Sequence, residues 1–128
     1  MKKDIIVCVF VIALVVALNI ITSNYTKDST KKIEEKLSSI RDKIEKNEET
    51  QVTANEIKQL KEDWEERNAK LAYYIEHDEL EKVNLYIVGL ESNYSSKEYG
   101  NALEELDKCE FILKHIEEKY SFSMRNIF

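Results

Sequence analysis

Residues Ile5 to Leu18, IIVCVFVIALVVAL, contain no charged side chain, and Ile20 and Ile21 carry the apolar run past Asn19. A run apolar on every face has no polar side to turn to water, so it must lie in a core or in lipid. At 1.5 Å per residue, residues 5–21 make about 25 Å of helix, close to the roughly 30 Å hydrocarbon thickness of a bilayer. Lys2 and Lys3 precede it. A cleaved signal peptide and an uncleaved anchor both fit this pattern. Residues 19–24 (NIITSN) offer no A-x-A cleavage pattern, and Cys8 lies too early to become a lipid-modified cysteine after cleavage. The expectation is therefore an uncleaved single-pass signal anchor over residues 1–22.

Basic residues flank the run on both sides. Lys2 and Lys3 favour a cytoplasmic N-terminus, whereas Lys27, Lys31, Lys32 and Lys36 fall within the window counted by the positive-inside rule. The very short N-terminal tail makes the signal-anchor route the simpler one. The remainder of the chain is accordingly expected at the cell membrane with its C-terminal domain outside the cytoplasm.

Composition limits what that domain can be. The chain has 128 residues with no Pro and only two Gly, Gly89 and Gly100. Turn-rich sandwiches and barrels need more of both, and neither a dinucleotide fingerprint nor a phosphate-binding loop can be written with two glycines so placed. Two cysteines, one of them in the apolar run, make no disulfide framework. The 19 basic and 25 acidic residues become 17 and 24 once Lys2, Lys3 and Asp4 are set aside, a net charge of −7. An acidic domain without a basic stripe is a poor partner for nucleic acid, and none is expected.

After a juxtamembrane linker at 23–28, apolar spacing predicts a helical bundle over residues 29–121, with helices at about 29–47, 53–76, 78–94 and 96–120. The stripes are Ile33, Leu37, Ile40, Ile44; Ile57, Leu60, Trp64, Leu71, Ile75; Leu80, Val83, Ile87, Leu90, Tyr94; and Tyr99, Ala102, Leu106, Cys109, Leu113, Ile116, Tyr120. Steps of three and four on otherwise charged helices are the pattern of antiparallel bundles and short coiled coils. The fold class expected is all-α: an N-terminal transmembrane helix followed by a four-helix antiparallel bundle or two helical hairpins. Thr53 with Glu56 and Ser95 with Glu98 have capping-box spacing, and Val52–Ile57 and Tyr94–Tyr99 sit at staple positions. Asp78 is placed to cap the third helix.

Alternating directions bring the second-to-third turn (Tyr73, Tyr74, His77) and the end of the fourth helix (His115, Tyr120) back towards the membrane. His77, Glu79, His115 and Glu118 are then the candidates to gather around a cation. Neither histidine belongs to a Glu-x-x-His pair, because the residues three before them are Tyr74 and Ile112. The simpler reading has His77 bonded to local backbone and His115 beside the stripe. Cys109 occupies a stripe position and reads as a buried thiol rather than a nucleophile. Trp64 reads as the core anchor of its helix. Adjacent carboxylates such as Glu104 and Glu105 do not face one another on a helix and read as a solvated face.

The apolar C-terminal tail, residues 122–128, is expected to tuck under the bundle as a plug or, alternatively, to dip into the membrane interface or meet a partner, with Phe122, Ile127 and Phe128 as the candidate interaction residues. Burial of these three side chains would contribute on the order of 5 kcal/mol.

The anchor, Trp64, the segment Tyr74-Ile75-Glu76-His77-Asp78-Glu79-Leu80 and the ending Ser123-Met124-Arg125-Asn126-Ile127-Phe128 together resemble an uncharacterised bacterial family. It is catalogued as domain of unknown function 4363, membrane-anchored helical proteins of Gram-positive, often spore-forming bacteria. The similarity spans nearly the whole chain and is loose over residues 29–52. It implies location and architecture and lends no catalytic residue.

The expected function is that of a non-enzymatic, single-pass anchored helical module, an accessory or interaction protein for another membrane component or a homo-oligomer. The alternative is an extracytoplasmic ligand or metal sensor using the His77/His115 end. No cofactor and no catalytic residue is expected.

Overall fold

No Gly and no Pro interrupts the chain from Met1 to Asn47. In the computed structural model of the protein, which describes residues 1–47 and 50–120, helix α1 runs unbroken over Lys2–Glu45, 44 residues. That is about 66 Å of rod. The stretch 23–28, expected as a linker, is part of this helix. The physical reason is that its polar residues serve the helix rather than compete with it. Thr22 Oγ1 donates to the Leu18 carbonyl at 2.9 Å, Thr26 Oγ1 to that of Thr22 at 2.8 Å, and Thr30 Oγ1 to that of Thr26 at 3.0 Å. Each hydroxyl is satisfied one turn back along α1.

Three further helices complete the described residues: α2 (Thr50–Leu71), α3 (His77–Ser95) and α4 (Tyr99–Tyr120). α1 adjoins α2 and α4, and α3 adjoins the same two, so the four form a ring. The connections are too short to cross the bundle, which makes consecutive helices antiparallel. The fold is all-α, an N-terminal apolar helix continuing into a four-helix antiparallel bundle.

Every stripe residue expected on the four helices is buried, except Tyr99 and Tyr120, which are half-buried against the same core. On α1 the buried register continues upstream of Ile33 through Thr30, Thr26 and Ser23 in the same steps of three and four. The bundle therefore begins two residues beyond Ile21. By contrast, the apolar half of α1 has an 18-residue window of mean hydropathy 3.1, none of it covered by the bundle. α1 is long and apolar enough to cross a membrane. On α3, Gly89 leaves room for the Glu105 side chain of α4: a Cβ there would lie 2.6 Å from Glu105 Oε2.

The helix ends differ from the expected ones. α2 starts at Thr50, so Thr53 is an interior, fully buried helical residue and not a cap. Val52 is exposed and forms no staple. α2 ends at Leu71 because Tyr74 and Ile75 N–H groups both turn back to the Leu71 carbonyl, at 3.1 and 2.9 Å. The N-cap of α3 is Glu76, without a side-chain cap bond, and Asp78 lies in the first turn. There it acts on the helix dipole instead of capping.

Ser95 cannot cap α4 because it is the last residue of α3. The chain reverses two residues later, at Lys97, with φ 62°. Lys97 N–H donates to the Tyr94 carbonyl at 3.0 Å and Glu98 N–H to the Asn93 carbonyl at 2.9 Å, a Schellman closure. The Tyr94 and Tyr99 rings do meet across it, with centroids 5.3 Å apart. Asn47 closes α1 in the same left-handed conformation, at φ 53°.

Left-handed backbone strains a residue with a Cβ, less so Asn than Lys. Lys97→Gly is expected to stabilise the bundle by about 1 kcal/mol, and Asn47→Gly by less. Thermal unfolding of the detergent-solubilised chain followed by circular dichroism measures both.

Candidate functional site

The two ends of the bundle are chemically unlike. The end remote from the apolar segment is closed by Ile44, Asn47, Thr50, Tyr94 and Tyr99 around a small groove, with Tyr94 Oη donating to the Thr50 carbonyl at 3.4 Å. The end next to the apolar segment collects most of the titratable and aromatic groups that the sequence singles out.

Tyr74 ties that end together. Its hydroxyl lies 2.7 Å from Thr26 Oγ1 and 3.1 Å from the Thr22 carbonyl, fastening the α2–α3 turn to α1. Burial pushes the Tyr74 pKa up, against the lowering effect of the Thr26 hydrogen bond. Ile75 is buried beneath the turn. On the far side, Tyr120 Oη accepts the Glu76 backbone N–H at 3.3 Å, which brings the end of α4 to the same level. Beside it, Tyr25 is half-buried with Lys70 Nζ 5.7 Å from its ring centroid.

The charged centre is Glu79, 7% exposed in the first turn of α3. Its Oε1 lies 3.2 Å from His115 Nε2 and 3.3 Å from Lys119 Nζ, both on α4. Burial opposes ionisation of this carboxylate, but Tyr120, Lys119 and His115 outweigh it and hold the pKa below its usual 4.5. Oε2 is buried without a hydrogen-bond partner among the described residues.

Of the four candidate ligands, the structure brings Glu79 and His115 into contact. His77 turns outward, 85% exposed, with Nε2 3.9 Å from Glu81 on its own helix. Glu118 is exposed on α4. Among the described residues no three His, Cys, Asp or Glu side chains are grouped to hold a metal ion. Lys119, cationic at neutral pH, already pairs with Glu79. The tail residues Phe122, Ile127 and Phe128 lie outside the described residues.

Trp64 is fully buried, and its Nε1 donates to Asn84 Oδ1 on α3. Cys109 is buried between helices, its thiol pushed up to about 12 chiefly by burial and then by Glu110 and Glu105. An open groove of about 500 Å³ between α1 and α2 is lined largely by charged side chains, among them Lys32, Glu35, Lys36 and Asp63.

Sequence reasoning missed Asn84, Arg67 and the Ser/Thr stripe. Arg67 spans from Asp63 on α2 (3.3 Å) to Ser29 Oγ (3.1 Å) and Asp28 (3.5 Å) on α1. The signal was present: continuing the α1 register upstream of Ile33 reaches Thr30, Thr26 and Ser23, opposite the gap in the α2 stripe at Arg67 and Asn68. A search for apolar residues passes over it.

A family described as a domain of unknown function (DUF4363) matches residues 20–127. The chain belongs to the DUF4363 family. The match takes in the whole bundle, from the end of the apolar run through the Tyr74 turn and the Glu79 cluster. No curated protein and no solved structure matches the chain.

Two outcomes follow for the DUF4363 bundle. Because the Glu79 pKa is depressed in the folded state, its contribution is complete above the usual value of 4.5 and lost as pH falls through the lowered value. Glu79→Gln is expected to lower Tm at neutral pH by several degrees, and to lose less Tm than the parent chain between about pH 5 and about pH 3. A pH series of thermal melts checks both. In a Cys8→Ala background, Cys109 is expected to react with a thiol reagent only as the chain unfolds, measured by the rate with and without denaturant.

Proposed function

We propose that the protein is a non-enzymatic, single-pass membrane module: a signal anchor carrying a helical bundle outside the cytoplasm, acting as an accessory or interaction subunit of another membrane component. The observation that carries this reading is the continuity of α1. Its apolar half and its bundle half are one rod, so a neighbour in the membrane and the bundle beyond it are mechanically joined. An uncovered apolar surface of that length calls for lipid, and a run of Val, Ile and Leu with Ala13 and Ala17 four apart offers a helix a face to pack on.

The absence of catalytic activity is part of the proposal. In its favour, the one cysteine of the bundle is too basic a thiol to attack a substrate. The groove between α1 and α2 is an open channel among the described residues rather than an enclosed pocket suited to excluding water from a reaction. A bacterial source is proposed on the sequence resemblance.

The alternative, a ligand or metal sensor at the His77/His115 end, draws support from the Glu79–His115 contact. Against it, His77 points to solvent and Lys119 supplies the charge that a bound cation would bring.

Photo-crosslinking tests the leading reading. With a crosslinker placed in turn at residues 10–17 of the full chain in its native membrane, protein adducts are expected to recur every three to four positions. Adducts absent throughout, or without helical period, would overturn the interaction role. A cysteine introduced by Gln51→Cys should be labelled by a membrane-impermeant maleimide from outside intact cells; protection until lysis would reverse the assigned sidedness.

A further inference from the structure

We propose that the end of the bundle formed by the α2–α3 turn is a docking surface for lipid headgroups, with Tyr73 seated in the bilayer interface. The inference rests on the membrane reading of α1 and goes beyond it by stating what the bundle itself touches.

Geometry fixes the level of this surface. Thr26 lies five residues beyond Ile21, about 7.5 Å along the helix. The Tyr74 hydroxyl is bonded at Thr26 and at the Thr22 carbonyl, so the α2–α3 turn comes down to within that distance of the apolar run. The Glu76–Tyr120 bond holds the end of α4 at the same height. Each headgroup layer is about 5–8 Å deep. Because α1 is helical throughout and Ser23 and Thr26 are already buried by the bundle, no stem separates bundle from bilayer.

The chemistry at that level suits the interface. Tyr73 is 89% exposed, more than Val52, Leu85, Val88 or Phe111, the other exposed large apolar residues beyond the apolar run among the described residues. Its neighbour Tyr74 folds inward, so the turn presents one ring outward and uses the other as its fastening. Tyrosine is favoured at headgroup depth, where one end of the ring is apolar and the other wet. Lys70 lies over the ring of Tyr25 at 5.7 Å, as a long side chain able to reach phosphates.

Glu76, Asp78, Glu79 and Glu81 stand at this end against Lys70 and Lys119, so the turn presents no excess of positive charge to select anionic lipid. The occupant is the zwitterionic headgroup layer. The anchor supplies proximity, and Tyr73 supplies orientation.

The test uses the full chain with Cys8→Ala, and single Tyr73→Cys, Gln51→Cys or Val11→Cys substitutions. Each is labelled with an environment-sensitive fluorophore and reconstituted in phosphatidylcholine vesicles, with or without nitroxide lipids. Headgroup nitroxide is expected to quench the label at position 73 several-fold more than the label at 51, unchanged by salt or by added anionic lipid. Equal quenching at 73 and 51, with the label at 11 quenched by acyl-chain nitroxide, would overturn headgroup docking and leave the anchor standing. A label at 11 untouched by chain nitroxide would overturn both. Quenching at 73 that appears only with anionic lipid and vanishes in salt would overturn the aromatic mode of contact.

Discussion

The backbone hydrogen-bond ladder of α1 is the constraint on which the other elements depend. A helix passing from hydrocarbon to water is most easily broken at the crossing, where carbonyls first find water as a competing partner. In the proposed membrane orientation that crossing falls at Thr22, Thr26 and Thr30, each of which gives its hydroxyl to a carbonyl one turn back. Such bonding weakens a helix slightly in isolation. In this chain Thr26 and Thr30 lie on the buried face, where Tyr74 bonds Thr26 and Arg67 bonds the neighbouring Ser29. The rod stays whole because packing on its bundle half outweighs the local weakening.

Around that rod the bundle divides into two kinds of interior. The half remote from the apolar segment is filled by Ile, Leu and Val in steps of three and four, which sets the helices side by side without fixing their height very strongly. The half near it is a polar layer of hydroxyls, Arg67, Tyr74 and the Glu79 cluster, each with directional partners. Polar contacts of this kind add less to stability than apolar burial of the same volume, but a slip of one turn would leave several buried groups unpaired. Trp64 works in the same manner across α2 and α3: its bulk fills the core, and its N–H on Asn84 specifies which turn of α3 it faces. Salt bridges between neighbouring helices, Lys43–Glu56 at 2.7 Å and Arg41–Glu110 at 3.1 Å, agree with this register and add little to it individually.

The apolar stripes made the bundle readable from sequence, because burial on a 3.5-residue period depends only on residue type and spacing. Helix ends were less readable. Thr53 and Ser95 have cap chemistry, yet Thr53 lies inside α2 and Ser95 ends α3, while the αL residue at Lys97 and the turn anchored by Tyr74 decide where α3 and α2 close. Neither device has a composition that announces it: αL positions usually carry Gly or Asn, and Tyr74 is defined by a partner 48 residues away. The linker expected at 23–28 failed for a related reason. Ser and Thr next to an apolar run suggest a break, but on the buried side of a bundle they continue the stripe. At the candidate site, Glu79 and His115 were named from topology and do meet, whereas His77 faces outward towards Glu81 on its own helix.

The unbroken α1 also sets the azimuth of the membrane segment. With about 100° between successive residues, the direction in which Ser23, Thr26, Thr30 and Ile33 face the bundle can be carried back into the apolar run. Ile12, Val15 and Asn19 fall on that same side. Phe10, Ala13 and Ala17 fall on roughly the opposite one. A neighbouring span that seats against the two alanines would thus emerge behind α1, clear of the other three helices, and would leave the whole outer surface of α2, α3 and α4 free to meet something else.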